Sequence, residues 1–235
     1  MLPVLGLFIL VSRICPGDAE SDNYVQERIS LSNPSYVEQQ LHDLQTQVQD
    51  LKTKIENHVL FTRWGRSDCP KDISTLVYAG YVGGSLYSMK GSAAEYVCLP
   101  SDPTWGPFKY YEHGNVGYMY GAEYQRPPVV FGVEDADAPC AVCDGTPYSM
   151  VLMIPGRVNC YPDWVEAYHG SLASGNPRHK AASEHVCVDE VPQTVPGGDA
   201  NNDGKLFYGV KTVCGSLPCP PYENDKFLSC VVCMK

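Results

Sequence analysis

The chain has 235 residues, 27 acidic against 17 basic side chains, and a formal net charge of −10. That length carries one large domain or two small ones with a real core, and the negative balance argues against a nucleic-acid binder. A hydrophobic fraction of 44% excludes overall disorder, and 21 Gly is far too few for a collagen triple helix.

In chain order, residues 2–11 (LPVLGLFILV) form an apolar run too short to span a bilayer but suited to a secretory h-region. Gly17 and Ala19 place small residues at −3 and −1 of a cut after Ala19, so residues 1–19 read as a signal peptide, although no Lys or Arg precedes the run. Nothing else has the apolar length of a membrane helix, so a secreted, extracellular protein without a membrane partner is expected. Cleavage also addresses the odd count of 11 cysteines, because it removes Cys15 and leaves ten. An even set in an oxidising compartment reads as a framework of up to five disulfides.

Residues 20–34 are polar, end in Asn33-Pro34 and read as a flexible leader. Ser35 with Glu38 has capping-box spacing, and a seam follows at Val37, Leu41, Leu44, Val48, Leu51 and Ile55 with alternating steps of four and three. The other faces are polar, so residues 35–60 are expected to form a short coiled coil through which the chain associates with itself, as a dimer or a trimer. His58 falls at the next d position and marks the end of the helix, or a pH-sensitive layer.

From Phe61 onward Gly, Pro, Tyr, Thr and Cys rise and helical periodicity is lost. Short β-rich runs at 75–78, 118–124 and 206–213 lie between turn signals. The region also repeats itself. Gly65-Arg66-Ser67-Asp68-Cys69 matches Gly156-Arg157-Val158-Asn159-Cys160, and Glu95-Tyr96-Val97-Cys98 matches Glu184-His185-Val186-Cys187. Tyr78-Ala79-Gly80 matches Tyr168-His169-Gly170, Tyr120-Gly121-Ala122 matches Tyr208-Gly209-Val210, and Cys140-Ala141-Val142-Cys143 matches Cys230-Val231-Val232-Cys233.

The expected fold is mostly β and disulfide-rich, with two homologous halves (61–147 and 148–235) packed as a pseudo-symmetric domain after the coil. Each half holds four cysteines, and Cys214 and Cys219 are additional, suited to a local staple. The simplest pairings are Cys69 with Cys98 and Cys160 with Cys187, with each Cys-X-X-Cys used equivalently, although spacing alone cannot fix the map. The Cys-X-X-Cys pairs would also suit a zinc site or a redox motif, but secretion favours disulfides.

At this point the region 61–235 resembles the C-terminal non-collagenous domain of the short-chain, spongin-type collagens of sponges and related marine-invertebrate extracellular proteins. The resemblance rests on Arg63-Trp64-Gly65-Arg66, Glu95-Tyr96-Val97-Cys98-Leu99-Pro100, Tyr120-Gly121-Ala122-Glu123-Tyr124 and Pro139-Cys140-Ala141-Val142-Cys143. Further on it includes Leu152-Met153-Ile154-Pro155, Val186-Cys187-Val188-Asp189-Glu190 and the run from Val213-Cys214-Gly215-Ser216 through Tyr222. It implies an extracellular structural protein whose terminal domain helps assemble chains. Here a coil stands where the Gly-X-Y segment would be.

Asp199, Asn201 and Asp203 sit at positions 1, 3 and 5 of a calcium-type loop with Gly204 at the turn, but Val210 replaces the acid at position 12, making this a weak calcium candidate. The tyrosines at 110, 111, 118, 120 and 124 suit half-buried strands or oxidative cross-links. His169, His179 and His185 lack ligand-like spacing, and no catalytic motif occurs. The expected function is a non-enzymatic, oligomeric extracellular-matrix protein that contacts itself and matrix components or mineral. The competing expectation is a multivalent lectin-like or defence recognition protein.

Overall fold

The computed structural model describes residues 33–54, 57–106, 116–125 and 132–235. The expected signal peptide and most of the leader lie outside the described residues. Two units divide between Glu56 and Asn57.

Among the described residues the first unit holds one helix, α1 (Pro34–Lys54). Its cap is Asn33, whose Oδ1 accepts the Ser35 N–H at 3.1 Å and the Ser35 hydroxyl at 2.8 Å. The Asn33 carbonyl also accepts the Tyr36 and Val37 N–H groups at 3.1 Å. This corrects the expected Ser35–Glu38 capping box. Pro34 has no N–H to lose and a φ suited to the first helical position, so the helix starts one residue earlier. The helix is also shorter than the expected 35–60, since strand structure begins at Val59 and His58 is no longer helical. No helix among the described residues is long and apolar enough to cross a membrane.

The described residues of the second unit form ten strands: β1 (Val59–Trp64), β2 (Thr75–Gly84), β3 (Val97–Pro100), β4 (Tyr120–Tyr124) and β5 (Pro139–Gly145), then β6 (Val151–Pro155), β7 (Val165–Ser174), β8 (Val186–Asp189), β9 (Lys205–Gly209) and β10 (Ser229–Met234). The run expected at 75–78 falls within β2, while those expected at 118–124 and 206–213 only overlap β4 and β9, which start at Tyr120 and end at Gly209. Strand β5 lies antiparallel between β1 and β2, while β3 and β4 both extend β2. Strand β10 lies antiparallel between β6 and β7, while β8 and β9 both extend β7. Two parallel contacts join these groups: Trp64 of β1 stands opposite Val188 of β8, and Ala122–Tyr124 run beside Lys205–Phe207.

Glycine is required where β3 and β8 cross their neighbours. A Cβ on Gly80 would lie 1.7 Å from the Leu99 carbonyl oxygen, and one on Gly170 would lie 1.9 Å from that of Val188. Neither gap holds a methyl group, so the repeated Gly80 and Gly170 are packing requirements.

Two apolar clusters form the interior, and both draw on strands from before and after residue 148. One gathers Val82, Ala122, Tyr124 and Cys140 with Val186, Val188 and Phe207. The other gathers Phe61, Ala141 and Cys143 with Tyr168, Leu172, Val232 and Met234. Strand β5 is buried on both faces, with Cys140 in the first cluster and Ala141 and Cys143 in the second.

Candidate functional site

Five disulfides join all ten cysteines from Cys69 to Cys233. They are Cys69–Cys143, Cys98–Cys140, Cys160–Cys233, Cys187–Cys230 and Cys214–Cys219. The Cys214–Cys219 staple matches expectation, whereas the pairings of Cys69 with Cys98 and of Cys160 with Cys187 are overturned. The reason is the pleat: residues three apart on a strand point to opposite faces. Cys140 and Cys143 therefore cannot act as one unit, and each takes a partner from its own side of β5.

Buried polar contacts tie the strands before residue 148 to those after it. Arg63 donates from Nε to Asp189 Oδ2 at 2.8 Å and places Nη2 2.7 Å from the same oxygen. Their side chains are 14% and 6% exposed, so this pair is largely removed from water. Tyr168 donates its hydroxyl to the Thr62 carbonyl, Tyr96 to that of Leu206 and Tyr124 to that of Gln193. Burial pushes all three phenols well above the usual tyrosine range. Lys205 is buried, donates to the Ala94 and Ala182 carbonyls at 3.0 Å, and lies 4.8 Å from the Tyr96 ring centroid. Desolvation lowers its pKa.

The helix seam of the first unit is exposed: Val37, Leu41, Leu44, Val48 and Leu51 are 41–57% accessible. Ile55 lies outside the described residues. These side chains form an accessible apolar row along one face of the helix. His58, in the second unit, sets Nδ1 2.9 Å from Asp144 Oδ2 and 3.1 Å from Thr146 Oγ1.

Asp199, Asn201 and Asp203 are all exposed, and no group of three or more His, Cys, Asp or Glu side chains among the described residues is arranged to hold a metal ion. The loop turns inward through its backbone instead, as the Asn202 N–H donates to Glu123 Oε1 at 2.8 Å. Glu123 is fully buried and its Oε2 has no partner among the described residues. Burial, followed by the nearby Asp137 and Asp203 charges, pushes its carboxyl above the usual range. His169 is held between Glu166 (2.5 Å) and Glu190 (2.8 Å), contacts that raise its pKa, chiefly through Glu166. His179 packs between the rings of Tyr87 and Tyr208, and His185 is exposed.

Residues 191–198 form a strap that closes a groove beside the end of β1. Gln193 donates its N–H to the Gly65 carbonyl at 2.7 Å, and Val195 donates to the Asp137 carbonyl at 3.0 Å. Asp137 in turn donates to the Gly198 carbonyl at 2.8 Å. Ser67 donates its N–H to Gln193 Oε1, Arg66 donates to the Val191 carbonyl, and the Asp68 carboxylate holds the Arg66 guanidinium. Beside the end of β6 a comparable groove of 580 Å³, lined by Gly156, Arg157, Val158, Tyr161, Tyr222 and Phe227 among others, is open. The guanidinium of Arg157 stacks over Tyr161 there, 4.2 Å from the ring centroid.

Compared with known protein families and with curated protein sequences, the chain finds no match. Sequence reading missed the strap, the buried Glu123 and Lys205, and the Arg63–Asp189 pair. For the four charged residues the signal available was charge itself, since each sits in an apolar strand run where a charged side chain demands a partner, while the uncharged strap carried no such signal.

Proposed function

We propose that this chain is a secreted structural protein of an extracellular matrix, which associates through α1 and presents its disulfide-stapled β unit for assembly or matrix contact. The observation that carries the reading is the exposed heptad row on α1. Five apolar side chains stay accessible on a helix whose other faces are polar, and a partner helix is the chemistry that covers them. Five disulfides and the absence of a membrane-crossing helix among the described residues are compatible with secretion. The resemblance to the spongin-type terminal domain points the same way.

In this reading the β unit is two homologous halves packed as a pseudo-symmetric pair. The recurring geometry supports it. Cys69–Cys143 and Cys160–Cys233 span 74 and 73 residues, and Cys98–Cys140 and Cys187–Cys230 span 42 and 43. Positive φ angles recur at Gly65 and Gly156, at Asp72 and Asp163, and at Asp135 and Asp225. The Gly65 N–H bonds the Pro139 carbonyl as the Gly156 N–H bonds that of Ser229.

Sedimentation equilibrium of the secreted chain tests the assembly. A dimer or trimer is expected at about 10 µM, and Leu44→Asp with Leu51→Asp should lower the order of the assembly without unfolding the β unit. A monomeric wild type at that concentration would sink the reading.

A further inference from the structure

We propose that a second copy of this chain docks into the open groove beside β6, through its own residues 102–106, so that copies join head to tail. The inference rests on the two-halves reading above and does not depend on the helix.

The closed groove is the template. The hydrogen bonds Ala138 N–H to Ala122 carbonyl and Tyr124 N–H to Ala136 carbonyl flank the Glu123/Asp137 bridge. That pattern turns the N–H and C=O of Asp137 away from β4, and the strap takes both. The same pattern recurs around Lys211/Phe227, where Leu228 N–H bonds the Val210 carbonyl and Thr212 N–H bonds that of Lys226. The Phe227 backbone N–H and C=O are thus turned to the open groove, and neither has a hydrogen-bond partner among the described residues. The carbonyl of Gly156, which corresponds to the strap-bonded carbonyl of Gly65, is also without one. An unpaired backbone edge beside aromatic side chains is a site for an added strand.

The chain also carries the matching occupant. Glu190 N–H bonds the His169 carbonyl just before the strap, and Ser101 N–H bonds the Ala79 carbonyl at the corresponding place. From there Val191-Pro192-Gln193-Thr194-Val195 corresponds to Asp102-Pro103-Thr104-Trp105-Gly106. The first segment is seated. The second is exposed throughout, makes no hydrogen bond among the described residues, and holds Trp105 at 89% accessibility.

Docked as the strap is, Thr104 would donate to the Gly156 carbonyl and Gly106 to that of Phe227. The Asp102 carbonyl would accept from Arg157, and Trp105 would join Tyr161, Tyr222 and Phe227. A strap on one half and a groove on the other form a heterologous interface, which generates a ring if the rotation closes and a filament if it does not.

The test uses the full secreted chain with the seam broken by Leu44→Asp and Leu51→Asp, so that helix-driven association is removed. In sedimentation velocity this chain should form dimers and larger species as its concentration rises towards about 100 µM, the range of a small transient interface. Adding Thr104→Pro, which deletes the N–H aimed at Gly156, should weaken association at least tenfold. Val158→Glu, an exposed change at the groove, should do the same by repelling Asp102. An equimolar mixture of the two variants retains one intact strap and one intact groove, so it should recover dimers and nothing larger. A monomeric seam-broken chain, association that neither substitution weakens, or a mixture that fails to recover dimers would each overturn the proposal. Helix-driven association is read separately, since in the seam-intact chain it should survive Thr104→Pro.

Discussion

The disulfide map makes a quantitative prediction because the bridges are nested. Cys98–Cys140 lies inside the loop closed by Cys69–Cys143. With the inner bridge intact, the outer one closes only the path from Cys69 to Cys98 and from Cys140 to Cys143, about half its nominal 74-residue separation. The chain-entropy relation then assigns it about 3.5–4 kcal/mol of stability. The same relation gives about 2 kcal/mol for Cys214–Cys219, which spans 5 residues. Cys160–Cys233 encloses Cys187–Cys230 in the same way, so its removal should match that of Cys69–Cys143 to within about 0.5 kcal/mol.

The perturbations are the double substitutions C69A/C143A, C160A/C233A and C214S/C219S. Guanidinium unfolding without reductant, followed by tryptophan emission, reads the change, and the slope m should rise for the first two because their unfolded chains expand further. Proteolytic mass mapping should still find Cys98 joined to Cys140 in the first variant. The reasoning is refuted if C69A/C143A costs no more than C214S/C219S, or if mapping of the wild type joins Cys69 to Cys98.

Other outcomes follow from single contacts. Gly170→Ala should cost about 3 kcal/mol, since β8 must move to admit the methyl group, whereas Gly121→Ala, with nothing within 4 Å, should cost less than about 1 kcal/mol in the same unfolding assay. Asp189→Asn removes the buried counter-charge of Arg63, leaving it only the half-exposed Asp68 carboxylate at 3.3 Å, and should cost about 3 kcal/mol, while R63M/D189L should cost less than either single change in a double-mutant cycle. Glu123→Gln should raise the melting temperature at pH 7, because the folded-state carboxyl titrates above its unfolded value. Stability from such a raised group is complete below the unfolded pKa and lost as pH rises through the folded one, so the gap should close near pH 4. His169 is also raised, so its contribution is complete below its unfolded pKa near 6.5 and lost as pH rises through the folded value. His169→Gln should therefore lower the melting temperature at pH 5.5 more than at pH 9.

Strand content and the bridged cysteines were legible because they depend on local composition and count. The repeat located Gly80 and Gly170, the two positions that the crossing of β3 and β8 requires to be glycine. The pairing of those cysteines was not legible, since it depends on which face of β5 each thiol occupies, and a Cys-X-X-Cys looks the same in sequence whether its thiols share a face or oppose each other. The helix start is obscured for a local reason: Pro34 hides the cap at Asn33, whose side chain reaches past it to Ser35. Glu123 and Lys205 were illegible because their burial is set by chain segments about 80 and 110 residues away.

The two shared clusters bear on how such a unit can assemble. Because each core takes side chains from before and after residue 148, neither segment has a core of its own, and the contact between them reaches the backbone through the parallel β4–β9 pair and the strap. In the proposed two-halves reading, the unit seats one strap within the chain and leaves the corresponding segment and groove unused. The strap after β8 is consumed in the groove beside β1, while the segment after β3 and the groove beside β6 remain open. In the proposed head-to-tail docking the internal interface is the template for the external one, with the corresponding backbone groups in the same register. The exposed apolar row on α1 is the second proposed association surface, of different chemistry, apolar side chains rather than strand edges. Two weak surfaces on one chain bind far more tightly together than either alone wherever their geometry allows both to engage, which is the thermodynamic advantage of joining a short helix to a small stapled domain.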